Sequence, residues 1–108
     1  MRRFKVEWAL CAAQDLEEIA SWIAQDSTRA AERVLGRLRD KARSLESFPR
    51  RGRLVPELTL LGIHSYRELV VHPYRIIYRI DGKKVLVLAA LDGRRDFSEV
   101  ILRRLVRG

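Results

Sequence analysis

From Leu10 on, the apolar residues keep one period as far as Pro49 and then change it, and that change limits what the chain can fold into. Before it, apolar side chains recur every three or four positions, as on helices that bury one side. Leu16, Ile19, Ala20 and Ile23 form one such stripe, with Asp15, Glu17 and Glu18 near its start, where negative charge suits the helix dipole. Ala31, Val34, Leu35, Leu38, Ala42 and Leu45 form a second, with Arg29, Arg33, Arg37 and Arg43 largely off it. Asp26-Ser27-Thr28 supplies capping residues between them, and Pro49 stops the second helix. The spacing predicts helices over about 10–25 and 28–47, joined by two or three residues and therefore antiparallel.

Beyond Pro49 the pattern is that of strands. Pro49, Gly52, Pro56 and Gly62 punctuate a loop over 49–63, with room for one short extended piece. Three strand-like runs follow, Tyr66 to Val71, Tyr74 to Ile80 and Lys84 to Leu91. His72-Pro73 separates the first two, and Asp81-Gly82, a strong hairpin dipeptide, the second two. With Asp81-Gly82 as a two-residue loop, Ile80 opposes Lys83, Tyr78 opposes Val85, Ile76 opposes Val87 and Arg75 opposes Leu88. One face then carries Leu69, Val71, Tyr74, Ile76, Tyr78, Ile80, Val85, Val87, Ala89 and Leu91, ready for the helical hairpin. The other carries Glu68, Val70, Arg75, Ile77, Arg79, Lys84, Leu86 and Leu88. Its mixture of charge and aliphatic surface suits a partner that brings both apolar groups and negative charge.

An amino-terminal strand, Phe4-Lys5-Val6-Glu7-Trp8, alternates apolar and polar and is expected beside 84–91, whose lack of polar alternation marks a central strand. Asp96 with Glu99, then Ile101, Leu102 and Leu105, starts a last short helix. The expected fold is α+β: one domain over 1–108, with an antiparallel sheet of four or five strands under a helical hairpin.

Composition narrows the function. The chain is 47% hydrophobic with six Gly and three Pro, which excludes a disordered or collagen-like chain. Its longest apolar run, Val85 to Leu91, is far short of the ~20 residues that span a bilayer. The start, Met1-Arg2-Arg3-Phe4-Lys5, lacks the apolar stretch of a signal peptide, and the lone Cys11 has no partner for an internal disulfide. A cytoplasmic protein without a membrane partner is expected. The net charge is +8, and it is uneven: residues 1–48 hold nine basic and eight acidic groups, residues 49–108 thirteen and six. Eighteen of the cations are Arg, which recognises phosphate or carboxylate with several donors at once. An anionic partner follows.

No His-x-His or Cys-x-x-Cys spacing suggests a metal, and no Gly-x-Gly suggests a phosphate cradle; no cofactor is expected. Trp8 and Trp22 fall in amphipathic segments and are expected in the core, with Cys11 as a small buried hydrophobe and Tyr78 packed with its hydroxyl satisfied. His64 and His72 are expected to be exposed loop and turn residues, and Asp92 can pair with a neighbouring Arg.

The order of these elements, with Tyr66-Arg67-Glu68-Leu69-Val70-Val71, Tyr74-Arg75-Ile76-Ile77-Tyr78-Arg79 and Leu91-Asp92-Gly93-Arg94-Arg95-Asp96, resembles the RelE/ParE toxin superfamily of bacterial toxin–antitoxin systems. The hairpin from Asp15-Leu16-Glu17-Glu18-Ile19-Ala20 through Phe48-Pro49 and Gly52 is most like the ParE branch. The resemblance implies a toxin neutralised by a cognate antitoxin. That partner is expected to bring an acidic carboxy-terminal segment that folds on binding, with Arg75, Arg79, Lys84, Leu86 and Leu88 as its candidate contacts. One branch, RelE-like, cleaves mRNA on the ribosome through a basic cluster; Arg67, Arg75, Arg94 and Arg95 match or neighbour its positions. Two departures weigh against it: Leu69 stands where a second basic residue is expected, and Val100-Ile101 where a Tyr is common. Arginine stays protonated and is a poor acid or base. The ParE branch inhibits DNA gyrase without that cluster, and its candidate target contacts here are Arg75, Arg94, Arg95, Arg103 and Arg104.

Overall fold

The computed structural model describes residues 3–93 and 97–107, and of Ser98, Val106 and Arg107 the backbone alone. Strand β1 (Lys5–Trp8) leads into helix α1 (Leu10–Ala24), then helix α2 (Thr28–Arg43) and a 3-10 turn (Ser44–Glu46). Strand β2 (Arg53–Leu54) and the short helix α3 (Pro56–Thr59) occupy the expected loop. Strands β3 (Tyr66–Val71), β4 (Tyr74–Asp81) and β5 (Lys84–Asp92) precede helix α4 (Phe97–Arg107). The five strands lie in the order β1-β5-β4-β3-β2, with β1 parallel to β5 and the remaining neighbours antiparallel. β5 is central, as its unbroken apolar run implied. No helix among the described residues is long and apolar enough to cross a membrane.

Packing holds the helical hairpin more than capping does. The Ser27 hydroxyl accepts from the Ala30 N–H at 3.0 Å, a cap of about 1 kcal/mol. Leu38 and Leu45 are fully buried, and each contributes about 2–3 kcal/mol. Together with Leu16, Leu69, Ile76, Tyr78, Val85 and Val87 they form the first core. The second helix ends at Arg43, and the 3-10 turn, rather than helix, runs on toward Pro49. Asp15, Glu17 and Glu18 sit beyond the first turn of α1, which holds no acidic residue. Burial fades along α1, from Ala12, Asp15 and Leu16 to a Trp22 that is 73% exposed. The expectation of a core Trp22 is therefore corrected; Trp8 does pack against the first core.

The β4–β5 register also differs from the expected one, for two reasons. The turn is Gly82-Lys83, with Asp81 paired to Lys84, so Ile80 opposes Val85 and Tyr78 opposes Val87. Gly82 takes the positive φ of +61° at the first loop position, which suits glycine and spares Asp81 that conformation. A bulge then intervenes: Tyr78 pairs with Val87 but Ile77 with Ala89, leaving Leu88 as the extra residue. Beyond it the faces exchange. Ala90 joins the first core, while Ala89 and Leu91 turn to the opposite side.

That opposite side is not open. α3 and α4 cover it, and Val55, Leu58, Ile77, Ala89, Phe97 and Ile101 make a second core. Val55-Pro56-Glu57-Leu58 carried the signal for α3, since proline suits a first helical position and Glu57 the first turn. The bulge itself is held by distant side chains. Asp15 accepts from the Ala90 N–H at 2.9 Å, and the Leu88 carbonyl accepts from the Cys11 thiol at 3.3 Å and Arg104 at 3.2 Å. Strand backbone that β1 no longer reaches is satisfied in this way.

Candidate functional site

Arg75 is the centre of the covered face. It projects from β4 opposite Val70, on the same side of the sheet as Glu68. Its Nε donates to Glu68 Oε1 at 2.5 Å, and its two terminal nitrogens donate to Glu57 of α3 at 2.7 and 2.8 Å. The guanidinium lies 3.7 Å from the centre of the Phe97 ring. Arg53 Nε reaches the second Glu68 oxygen at 2.6 Å. The Glu68 side chain is fully buried, and that of Arg75 is 11% exposed. Gly93 closes over the pair, since a Cβ there would meet Arg75 Cδ at 3.0 Å and the Pro73 carbonyl at 3.2 Å.

A hollow of about 340 Å³ opens beside this cluster, with Arg53, Glu57, Val70, His72, Arg75 and Gly93 around it. Among the described residues its two arginines are balanced by two carboxylates, which leaves no uncompensated positive charge of the kind a transferring phosphate requires. Glu57 holds Arg75 protonated far above any accessible pH, and Arg75 in turn lowers the Glu57 carboxyl below its usual 4.5. An arginine fixed in its charged form can orient or bind, but it cannot shuttle a proton. No His, Cys, Asp and Glu group able to hold a metal occurs among the described residues.

The other expected site residues scatter. Arg67 pairs with Tyr78 and so lies on the opposite sheet face from Arg75, with its Nη1 donating to the Gly52 carbonyl at 2.8 Å. Arg94 and Arg95 lie outside the described residues. Of the pair Val100-Ile101, expected near the position where the RNA-cleaving branch places Tyr, Val100 is half-buried and Ile101 fully buried in the second core. Arg104 is bidentate to Asp15 at 2.6 and 2.7 Å, which raises its pKa and makes it part of the bulge. Arg103 is exposed and paired with Glu99 at 2.9 Å, one turn away. Among the expected antitoxin contacts, Lys84 is exposed and Arg79 and Leu86 half-buried, whereas Leu88 is the 9% exposed bulge residue. Tyr78 is satisfied as expected: its hydroxyl donates to the Pro49 carbonyl at 2.7 Å and accepts from the Gly52 N–H at 3.0 Å. Among the described residues, Glu57 joins the site without a sequence signal of its own, because α3 is too short to show a helical repeat.

The lowered Glu57 carboxyl gives the fold an acid limit. Its stabilisation is complete above pH 4.5, where the unfolded chain is also ionised, and is lost as pH falls through the lower folded value. Denaturation midpoints should therefore drop below pH 4.5, with a shallower pH slope in Glu57→Gln. Parallel slopes in the two proteins would refute the assignment.

A five-stranded sheet with a helical hairpin on one face and two shorter helices on the other has the architecture of a RelE/ParE-like toxin fold. A family described as the ParE toxin of type II toxin-antitoxin systems, parDE, matches residues 6–97, and the chain belongs to that family. Protein Y4kP of Sinorhizobium fredii is 34% identical over 103 residues, 94% of this chain and the whole of that one. Toxin RelE2 of Caulobacter vibrioides is 40% identical over 80 residues, covering 72% of this chain and 83% of its own. Among solved structures, a chain of the chromosomal ParDE system from P. aeruginosa superposes with a TM-score of 0.67 at 19% identity, covering 82% of this chain and 94% of that one. Relatives of both names thus share the fold.

Proposed function

We propose that this chain is a toxin that inhibits DNA gyrase and is neutralised by a cognate antitoxin. The observation that carries the reading is the Arg75 cluster, whose guanidinium is already paired with two carboxylates. An RNA-cleaving site needs a group to activate the ribose hydroxyl and an acid for the leaving oxygen. Here Arg75 is paired with Glu57 and Glu68, Arg67 faces the other way, and Val100 and Ile101 are apolar, while Arg94 and Arg95 lie outside the described residues. The likeness to RelE2 favours the rival reading, a ribosome-dependent endoribonuclease.

The antitoxin reading rests on family membership and on the +8 charge, which suits an acidic segment that orders on binding. Arg79, Lys84 and Leu86 remain accessible for it, and Arg103 for the target. The purified protein should block supercoiling by gyrase and accumulate cleaved DNA, while ribosome-bound mRNA stays intact. Codon-specific cleavage of that mRNA, with supercoiling untouched, would replace gyrase inhibition by the rival.

A further inference from the structure

The outer face of α2 is the part of the molecule that the fold leaves unexplained. Arg29, Arg33, Arg37 and Lys41 follow one another at four-residue intervals and all are exposed. They form a row of about 18 Å at 1.5 Å per residue. Like charges at this spacing oppose helix formation. Elsewhere on the described surface, Arg3, Lys5, Lys84 and Arg103 each lie within 4 Å of a carboxylate, whereas Arg39, Arg50, Arg79 and Lys83 do not. Among the described residues the four cations of the row have no such partner. Two carboxylates share the helix, Glu32 and Asp40, the latter 3.8 Å from Arg43; six cations outnumber them.

Gly36 is the independent sign. It lies in the middle of α2, where glycine weakens a helix relative to alanine. A Cβ there would meet nothing within 4 Å, so no packing inside the chain calls for glycine. A residue with no side chain lets the backbone of a partner come close, at a point one turn from Arg33 and Arg39 and also from the carboxylates Glu32 and Asp40. The rest of the outer face offers no large apolar side chain. A protein partner would need such anchors at the centre of its interface, whereas a phosphate backbone needs cations and close approach.

We propose that the cation row of α2, with Gly36 at its edge, docks against the phosphate backbone of duplex DNA, with Arg29, Arg33, Arg37 and Lys41 as the phosphate contacts. The choice of DNA over RNA rests on the gyrase reading above, whose target holds DNA. The contact itself is sequence-independent, and it places α2 rather than the Arg75 cluster against nucleic acid.

The test needs no gyrase, so its failure is separate from that of the supercoiling assay. Fluorescence anisotropy of a labelled DNA duplex against the full chain, repeated over a salt series, gives affinity and the slope of log K with log salt. Arg33→Glu with Arg37→Glu should weaken binding more than tenfold and reduce the slope by about 2, near one per lost phosphate contact. Lys5→Glu with Lys83→Glu makes the same charge change at the far sheet edge and should leave the slope unchanged. Gly36→Leu should raise the melting temperature by about 4 °C, because a good helix former replaces glycine, and still weaken binding at least fivefold. Equal losses in the two charge-reversed proteins, native affinity in Gly36→Leu, or tighter binding of an RNA duplex of the same sequence would overturn the proposal.

Discussion

Gly52→Ala should destabilise the chain by about 3–5 kcal/mol, a large share of the total for a domain of this size. An added Cβ would fall 2.5 Å from the Glu68 carbonyl oxygen and 2.6 Å from the Tyr78 hydroxyl, with the ring carbon Cε1 at 2.9 Å. None of these is the free end of a flexible side chain. Glu68 is fixed in the ladder with Arg53, and Tyr78 is fully buried. Either the 49–54 segment moves away from the sheet, or β3 and β4 separate around it. Overpacking of this kind costs about 1–3 kcal/mol. Moving the segment also breaks both hydrogen bonds of the Tyr78 hydroxyl, and a buried polar group left unsatisfied adds about 1–3 kcal/mol. Tyr78→Phe isolates that second part, because the ring stays while the Gly52 N–H loses its acceptor. Equilibrium denaturation should rank the three proteins as native, Tyr78→Phe, Gly52→Ala. A Gly52→Ala midpoint equal to the native one would show that the segment yields without loss.

Gly52 also illustrates which parts of the molecule its sequence discloses. Local periodicity was enough for the helical hairpin, because Ala31, Leu38, Ala42 and Leu45 repeat without interruption and are all buried. The central place of β5 followed from an apolar run with no polar alternation. The bulge at Leu88 had no such local sign. It depends on Asp15, 75 residues from the amide it accepts, and on Arg104, 16 residues from the carbonyl it caps. A two-residue hairpin rule applied from Asp81-Gly82 thus sent Ala89 and Leu91 to the wrong core. α3 was hidden for a different reason: four residues carry less than one full repeat, so Pro56 and Glu57 read as loop punctuation.

The candidate site was half legible. Sequence pattern put Glu68 and Arg75 on one face, and the structure keeps them there. What it could not supply was their mutual neutralisation. Glu57 stands 18 residues from Arg75 and enters only through α3. A strand glutamate flanked by Arg67 and Leu69 reads as a solvated charge until the covering helices are known. The same covering pairs an arginine that resembled a phosphate ligand with two carboxylates.

That change has a measurable consequence for any mutagenesis of Arg75. Arg75→Met alone should cost about 3–5 kcal/mol, since it leaves the fully buried Glu68 carboxylate with Arg53 as its remaining ion-pair partner. Arg53 is 62% exposed and shares its charge with solvent, so it compensates poorly. Glu68→Met alone should cost less, because Arg75 keeps both bonds to Glu57 and its stacking on Phe97. With both replaced, no charge remains at the centre of the cluster: Glu57 and Arg53 are partly exposed and can hydrate. Exchanging a buried pair for apolar groups of similar volume is often close to neutral. The double variant should therefore be more stable than Arg75→Met, with a coupling of about 2 kcal/mol between the sites. Denaturation of the four proteins gives that coupling directly, and additive losses would mean the pair is not the buried unit described. Its functional corollary is sharper. If gyrase inhibition returns in the double variant, which has no Arg75 at all, then the arginine holds the site together and does not contact the target.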